Sequence, residues 1–448
     1  MFSKILIANR GEIALRVART CQELGIRTVA VYSTADRDSA VVRMADEAVH
    51  IGPPPARQSY LNHAAILEAA LAAKAEAIHP GYGFLSEDPD FASACEESGL
   101  TLIGPPAAVM TRLGSKISAR SVMTEAGLPL LPGGLDPLDA TAAENLAAQI
   151  GYPAIVKASA GGGGRGMSIV TDPAAFAETY RRTAATARLL FGDDRVYVEK
   201  YLERARHVEV QVLCDTRGNA VHLGTRDCSV QRRHQKLVEE APAPCLPGDL
   251  ADQIGEAAVR GARAAGYVGA GTFEFLVGPD ASFYFLEVNC RIQVEHPVTE
   301  AVTGIDLVRE QLAIAAGEPL RPQDEIRLRG VSIECRVNAE DPRNGFAPAP
   351  GTVNGFVPAA GPFVRVDTHA RPGYTVPPNY DSLLAKLIVW APDRDMALSR
   401  MRRALGEFEV DGIPTTIPFL ADVIDHAAFR SASHDTGLVD LMTAGAGT

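Results

Sequence analysis

The 448-residue chain reads as α/β at its start and α+β after it, in two to four domains. Two observations carry this reading. The first hundred residues alternate short apolar runs with helical patterns. From about residue 207 the apolar runs alternate with polar residues and close on tight turns. A net charge of -12 argues against general nucleic-acid binding, which needs basic surface. No apolar run approaches the roughly 18 residues of a membrane span, and the start, Met1 to Ala8, is too short for a signal peptide. A cytoplasmic protein with reduced thiols is expected, because the seven cysteines form no CxxC pair and no zinc spacing.

In order along the chain, Lys4 to Ala8 reads as a buried strand. The turn Asn9-Arg10-Gly11-Glu12 leads into a helical pattern, Ile13, Val17, Cys21, Leu24, that stops at Gly25. Thr28 to Tyr32 is the next strand, completing a βαβ unit of a parallel sheet. Similar units run to about Gly104, through the turn-rich His79-Pro-Gly-Tyr-Gly-Phe-Leu-Ser-Glu87. The Pro/Gly-rich stretch Pro129 to Pro137 marks a boundary. Ala154 to Leu202 has strand-like ends around a glycine loop and a helical Ala/Arg-rich stretch, as a small mobile subdomain would. Val208 to Leu213 and Ala220 to Gly224 read as an antiparallel pair about Asp215-Thr-Arg-Gly218. After Arg321-Pro322 come short strands with Pro/Gly turns, such as Pro348-Ala-Pro-Gly351 and Val376-Pro-Pro378. A helical pattern from Met396 to Phe408 ends the readable structure, and the residues from Ala444 look like a frayed tail.

The densest chemistry lies in Glu287-Val-Asn289-Cys-Arg291-Ile-Gln293-Val-Glu295-His-Pro297, with a second carboxylate strand at Gly271-Thr-Phe-Glu274-Phe-Leu-Val277. If Gly278 pairs with Phe283 across Pro279 to Ser282, Glu274 falls opposite Glu287. Like charges about 5 Å apart on a ladder are destabilising. A hard cation between them would reverse the sign, and alternation puts Asn289 on the same face. Phe273, Phe275, Phe283 and Phe285 predict a mostly buried hairpin rather than two glutamates on a solvent face.

Ala160-Gly-Gly-Gly-Gly-Arg165-Gly166 contains GxGxxG, but a strand, Met167 to Thr171, follows it. A hairpin loop able to cradle phosphates is expected, or merely a flexible turn. Lys116 and Lys157 could each point an ammonium at phosphate. Glu199-Lys200-Tyr201-Leu202 could pair its backbone with an adenine edge while Leu202 packs on the ring. Arg226 to Lys236, with Gln231 and His234, is either an anion site or a solvated basic turn. Arg336, in Val331-Ser-Ile-Glu334-Cys-Arg336, alternates with apolar residues. It reads as a buried guanidinium whose partner is a carboxylate such as Glu334 or a ligand.

Taken together these segments closely resemble biotin carboxylase, an ATP-grasp enzyme. The resemblance runs nearly end to end. It rests on Ile7-Ala-Asn-Arg-Gly-Glu-Ile-Ala14, His79 to Glu87, Arg232-Arg-His-Gln-Lys236, Glu287-Val-Asn289, Arg291 to Pro297 and Glu340-Asp-Pro342. It implies a three-part ATP-grasp fold. A Rossmann-like domain would span 1–114, an ATP-grasp domain 115–320 with a mobile lid at about 131–203, and a mixed C-terminal domain 330–443.

The resemblance further implies ATP binding by Lys116, Lys157, Gly163, Gly164, Glu199, Lys200, Tyr201, Leu202, His207, Gln231, His234, Glu274 and Glu287. It implies Mg²⁺ or Mn²⁺ at Glu274, Glu287 and Asn289. Bicarbonate would sit on Lys236, Arg291, Gln293 and the Val294 backbone, with Glu295 as its base. Arg336 would hold the enolate-like oxygen of biotin. Glu295, Arg291, Arg336 and Lys236 are thus the expected catalytic set. The implied reaction is the first half-reaction of acetyl-CoA carboxylase; another acyl-CoA or pyruvate carboxylase, or a carboxylate–amine ligase, is the alternative.

The chain has no Met-Lys biotinyl motif. A separate biotin carboxyl carrier protein and carboxyltransferase subunits are therefore expected partners, and the family suggests a homodimer. The chain itself is expected to be a free-standing subunit or a domain cut from a longer one. Two positions depart from the family: Ala160, where a further glycine is common, and Cys290, where a small residue, often threonine, is usual.

Overall fold

The structure is a computed structural model describing residues 1–134, 137–159, 166–244 and 246–444. Five parallel strands open it: β1 Lys4–Ile7, β2 Arg27–Ser33, β3 Glu47–Gly52, β4 Ala77–His79 and β5 Thr101–Leu102. Their order, β3-β2-β1-β4-β5, is the doubly wound arrangement, in which chain crossings at β1 open a crevice at the strand ends. The helix Gly11–Glu23 follows β1 and buries Ile13, Ala14, Val17, Ala18 and Cys21. It stops where Gly25 takes a φ of +69°, a conformation glycine adopts without strain.

The subdomain after the first boundary is a three-stranded sheet, β7-β6-β8: β6 Ala154–Ala158, β7 Met167–Val170 and β8 Val196–Lys200. The β6–β7 hairpin brackets the glycine loop as expected, although the loop itself, with Gly163 and Gly164, lies outside the described residues. Helix Phe176–Phe191 covers this sheet through Phe176, Thr183 and Ala187.

One eight-stranded sheet forms the body of the molecule. It takes in β9 Arg206–Cys214, β10 Ala220–Arg232, β11 Gln235–Ala241, β12 Gly269–Val277, β13 Phe283–Asn289 and β14 Val331–Asn338. Strands Leu383–Ala391 and Val364–Thr368 complete it beyond β14. The order β13-β12-β9-β10-β11-β14 carries the sheet without a break across residues 320–330, because β11 pairs with β14.

The carboxylate hairpin pairs Glu274 with Glu287, but not by the assumed route. Val277, not Gly278, sits opposite Phe283, and the Gly278 N–H donates to the Ser282 carbonyl at 2.8 Å. A β-bulge at Leu286 then restores the Glu274–Glu287 pairing. The inserted residue flips the phase of the strand. Phe283 and Phe285 therefore pack with Phe275 in the core, while Glu287 and Asn289 turn the other way.

One further expectation changes. The chain does not end its structure at Phe408: after helix Arg394–Glu407 come helices Ile417–Asp425, Ala427–Arg430 and Leu438–Ala444. Pro418 lies in the first turn of the second, where a missing N–H breaks no helical bond. Among the described residues six cysteines are free and buried; Cys245 lies outside them. No described helix is long and apolar enough to cross a membrane.

Candidate active site

The charged face of the eight-stranded sheet is built by alternation. On β9, His207, Glu209 and Gln211 share one face while Val208, Val210 and Val212 enter the core. Opposite them stand Thr272 and Glu274 on β12, then Asn289 and Glu287 on β13. Glu209 escaped the sequence reading, yet the pattern His207-Val-Glu-Val-Gln211 held the signal. Glu274 is 3% exposed, as expected of a buried hairpin, but Glu287 opens to the cleft.

Lys236, from β11, is the hub. Its ammonium contacts Glu209, lies 3.0 Å from Glu274 Oε1 and 2.8 Å from Glu295 Oε1. Gln293 donates to Glu274 Oε1 at 2.9 Å, and Asn289 donates to the same oxygen at 2.7 Å. Arg291 spans two anchors, donating to Asn289 Oδ1 at 3.0 Å and to Glu87 at 2.8 Å. Glu87 also accepts from the Cys290 N–H at 2.8 Å. The last residue of the His79–Glu87 motif thus holds the entrance of the turn, through the backbone of Cys290 rather than its thiol.

Glu295 comes just before helix His296–Thr303, which Pro297 starts and Gly304, at φ +70°, ends. Burial would raise its carboxyl, but Lys236, Arg336 and Arg226 outweigh burial and the repulsion of Glu209. Glu295 is therefore held ionised, below the ordinary carboxylate range. Arg336 donates to Glu295 Oε2 at 2.9 Å and to Glu239 Oε1 at 2.5 Å. Its partners are those two, not the expected Glu334, and its side chain keeps 15% exposure toward the cleft. Burial lifts Glu239 to about 7, against the pull of Arg336.

The basic segment divides in two. Arg226 is wholly buried and donates to Glu209, Gln211, Thr272, Gln293 and Thr299, so it is an internal strut and not an anion site. Replacing it by Met leaves Glu209 Oε2 and the Gln211, Thr272, Gln293 and Thr299 oxygens without this donor; a loss of roughly 3–5 kcal/mol is expected in urea denaturation. The remainder forms the β10–β11 hairpin, with Gln231 opposite Lys236 and His234 exposed at the tip.

Glu209 gives a pH test. Burial would raise its carboxyl, but Lys236, His207 and Arg226 push it down to about 2, against the charge of Glu274. A value depressed below the ordinary 4.5 stabilises the fold above that pH, and the stabilisation is lost as pH falls toward 2. It amounts to roughly 3 kcal/mol. About 2 kcal/mol of this should be lost between urea melts at pH 5 and pH 3 in the native chain, and clearly less in Glu209→Gln.

On the far side, Lys157 pairs with Glu199 at 2.6 Å, and Arg120 reaches the same carboxylate. Lys116 heads helix Lys116–Glu125. Burial pulls its ammonium below the ordinary range, against Glu287 and with help from Lys157. Two neighbouring ammonium groups of this kind suit a polyphosphate. The N–H groups of Lys200 and Tyr201 donate to the Pro132 and Pro153 carbonyls. An adenine edge on this segment would therefore meet carbonyls and the Leu202 N–H. The Lys200 ammonium itself is tied to the Gly151 and Tyr152 carbonyls.

Family models agree with this arrangement along the chain. Residues 1–110 match "Biotin carboxylase, N-terminal domain", and 334–441 match "Biotin carboxylase C-terminal domain". Residues 115–323 match "Carbamoyl-phosphate synthase L chain, ATP binding domain". A biotin carboxylase from Nostoc sp. is 52% identical over 98% of this chain and 99% of its own. The chain belongs to the biotin carboxylase family. It is an ATP-grasp ligase that carboxylates biotin with ATP and bicarbonate. A pyruvate carboxylase subunit from Methanothermobacter thermautotrophicus is also 52% identical, over 98% of this chain and 90% of that one. The biotin carboxylase domain dimer of Hydrogenobacter thermophilus 2-oxoglutarate carboxylase, solved with MgADP, ADP and bicarbonate, superposes with a TM-score of 0.94. It is 47% identical over 98% of each chain.

The metal expectation fits the residues. Glu274 and Glu287 face each other on the ladder, and Asn289 adds an amide oxygen, a hard donor set suited to Mg²⁺ or Mn²⁺. His207, Glu209 and Glu274 also bring ligand atoms within 4.8 Å of one another, but the Lys236 ammonium already lies against both carboxylates.

Proposed function

We propose that this biotin carboxylase is the first-half-reaction component of acetyl-CoA carboxylase. It would work as a cytoplasmic homodimer with a separate biotin carboxyl carrier protein and carboxyltransferase subunits. The observation that carries the catalytic reading is Glu295, buried, ionised and gripped by Lys236 on one oxygen and Arg336 on the other. Lys236, Arg291, Gln293 and the Val294 backbone hold bicarbonate against this carboxylate, which takes its proton. Bicarbonate then attacks the γ-phosphoryl group of ATP, breaking its bond to the bridging oxygen to give carboxyphosphate and ADP, a step that depends on positioning and charge. Lys116 and Lys157 supply charge to the phosphates, and His207, Gln231, His234 and the Glu199–Leu202 segment bind the nucleotide. Glu274, Glu287 and Asn289 would hold the divalent metal, which neutralises phosphate charge when bound. Carboxyphosphate yields CO₂ and phosphate, and the phosphate removes the biotin N–H proton. Arg336, reaching the cleft, stabilises the resulting oxyanion, whose ureido nitrogen attacks the CO₂ to form carboxybiotin.

The equal identity to a component of pyruvate carboxylase favours a second reading, in which the complete carboxylase serves pyruvate. Bicarbonate-dependent ADP release, measured with and without free biotin, tests the catalytic roles. Turnover that ignores bicarbonate would overturn them. Mixing the chain with carrier and transferase, and offering acetyl-CoA or pyruvate as acceptor, separates the two readings.

A further inference from the structure

Two buried groups next to the catalytic turn remain without a role. His296 is 0% exposed, and its Nδ1 lies 2.7 Å from the Gln293 carbonyl. The His296 main-chain N–H reaches the same oxygen at 3.3 Å. Its Nε2 has no hydrogen-bond partner among the described residues and stands 4.0 Å from Glu300. Burial, aided by Lys386, Arg16 and Arg365, keeps the ring neutral. A neutral imidazole with one nitrogen against a carbonyl carries its proton there. Lys386, also 0% exposed, donates to the Val294 carbonyl at 2.9 Å. Its ammonium is 3.1 Å from Glu12 and 4.0 Å from Asp367. Glu12 in turn accepts from the Tyr82 hydroxyl.

A trans peptide carries its C=O and N–H on opposite sides. The carbonyl of Gln293 shares a peptide with the Val294 N–H, and the carbonyl of Val294 shares one with the Glu295 N–H. With the Gln293 carbonyl held at the buried His296 ring, the Val294 N–H points away from that ring, and Val294 itself is half-buried.

We infer that His296 and Lys386 are positioning residues for bicarbonate: they fix the two peptides flanking Val294 and so present its N–H to the anion. This rests on the reading that Val294 takes bicarbonate. It also gives a use to Glu12 of the Asn9-Arg-Gly-Glu12 turn and to Tyr82 of the His79–Glu87 motif. Of these, Glu12 pairs with the Lys386 ammonium and Tyr82 donates to Glu12, so the N-terminal domain braces Lys386 against the turn.

The test is steady-state bicarbonate-dependent ADP release by the full chain. His296→Leu removes the donor; His296→Asn keeps an N–H donor close to the place of Nδ1. The Michaelis constant for bicarbonate should rise about tenfold in His296→Leu, the worth of one hydrogen bond to an anion site. That for ATP should stay within about twofold, and His296→Asn should restore the bicarbonate value to within about threefold. Lys386→Met combined with Glu12→Gln, which removes a cation and an anion together, should act in the same direction. Equal defects in His296→Leu and His296→Asn would overturn the inference, as would equal rises for bicarbonate and ATP. If His296→Leu does not fold, the double variant decides by the same two constants. Arg291→Ala and Gln293→Ala separate the failures. If they raise the bicarbonate constant and the positioning variants do not, this inference alone fails. If none does, the bicarbonate reading fails with it.

Discussion

Glu295→Gln is expected to lower bicarbonate-dependent ADP release by about 10²–10⁴-fold, the range for loss of a positioned general base. The substitution keeps the shape of the side chain and removes only its charge. Lys236 would retain Glu209 and Glu274, so the hub should stay in place. Arg336 would retain Glu239. The loss should therefore fall on turnover, with the nucleotide affinity, read by ADP titration, close to native. A loss in turnover below about tenfold would remove Glu295 from the role of base.

Arg336→Ala is the second large effect. Carboxybiotin formation should fall by about 10²–10³-fold, the scale seen when one oxyanion donor is removed. A role confined to the biotin oxyanion would spare bicarbonate-dependent ATP turnover. The structure modifies that expectation, because Arg336 donates to Glu295 as well as facing the cleft. A smaller fall in ATP turnover, of about tenfold or less, is expected alongside. Isotopic carboxybiotin and ADP measured in the same reaction give the ratio; equal losses would count against the oxyanion role. Glu239 loses its ion-pair partner in this variant. With its value already near 7, Glu239 takes up a proton when Arg336 is lost, and a stability loss of roughly 1–3 kcal/mol, read by thermal unfolding, should accompany the kinetic change.

The sequence made some of this site legible and hid the rest for physical reasons. Alternation and turn chemistry are local, so the βαβ start, the β6–β7 hairpin and the Glu274–Glu287 pairing were readable. The pairing emerged from a wrong premise, because the longer turn and the bulge at Leu286 cancel. A bulge costs one residue and leaves no strong mark in a strand of aromatic and aliphatic side chains. Arg226 looked like part of a basic cluster, since nothing in Arg226 to Lys236 reveals that Glu209, Gln211 and Gln293 converge on one end of it. Glu239 and Lys386 were missed because their partners come from other elements, far along the chain. Glu334 was the near neighbour in sequence to Arg336, yet its oxygens receive no hydrogen bond from the described residues.

The bulge has a consequence for how this hairpin can vary. On its outer side, Val277, Leu276 and Phe275 meet Phe283, Tyr284 and Phe285; on its inner side, Glu274 meets Glu287. Leu286 works as a phase coupling between the two, so each half keeps its own rhythm. Grafts at the tip, Pro279 to Ser282, should leave the geometry of the acidic pair untouched, and that makes the tip a place for a reporter group. Removing Leu286 alone would be far more severe, because the aromatic half and the acidic half could no longer both face their own side.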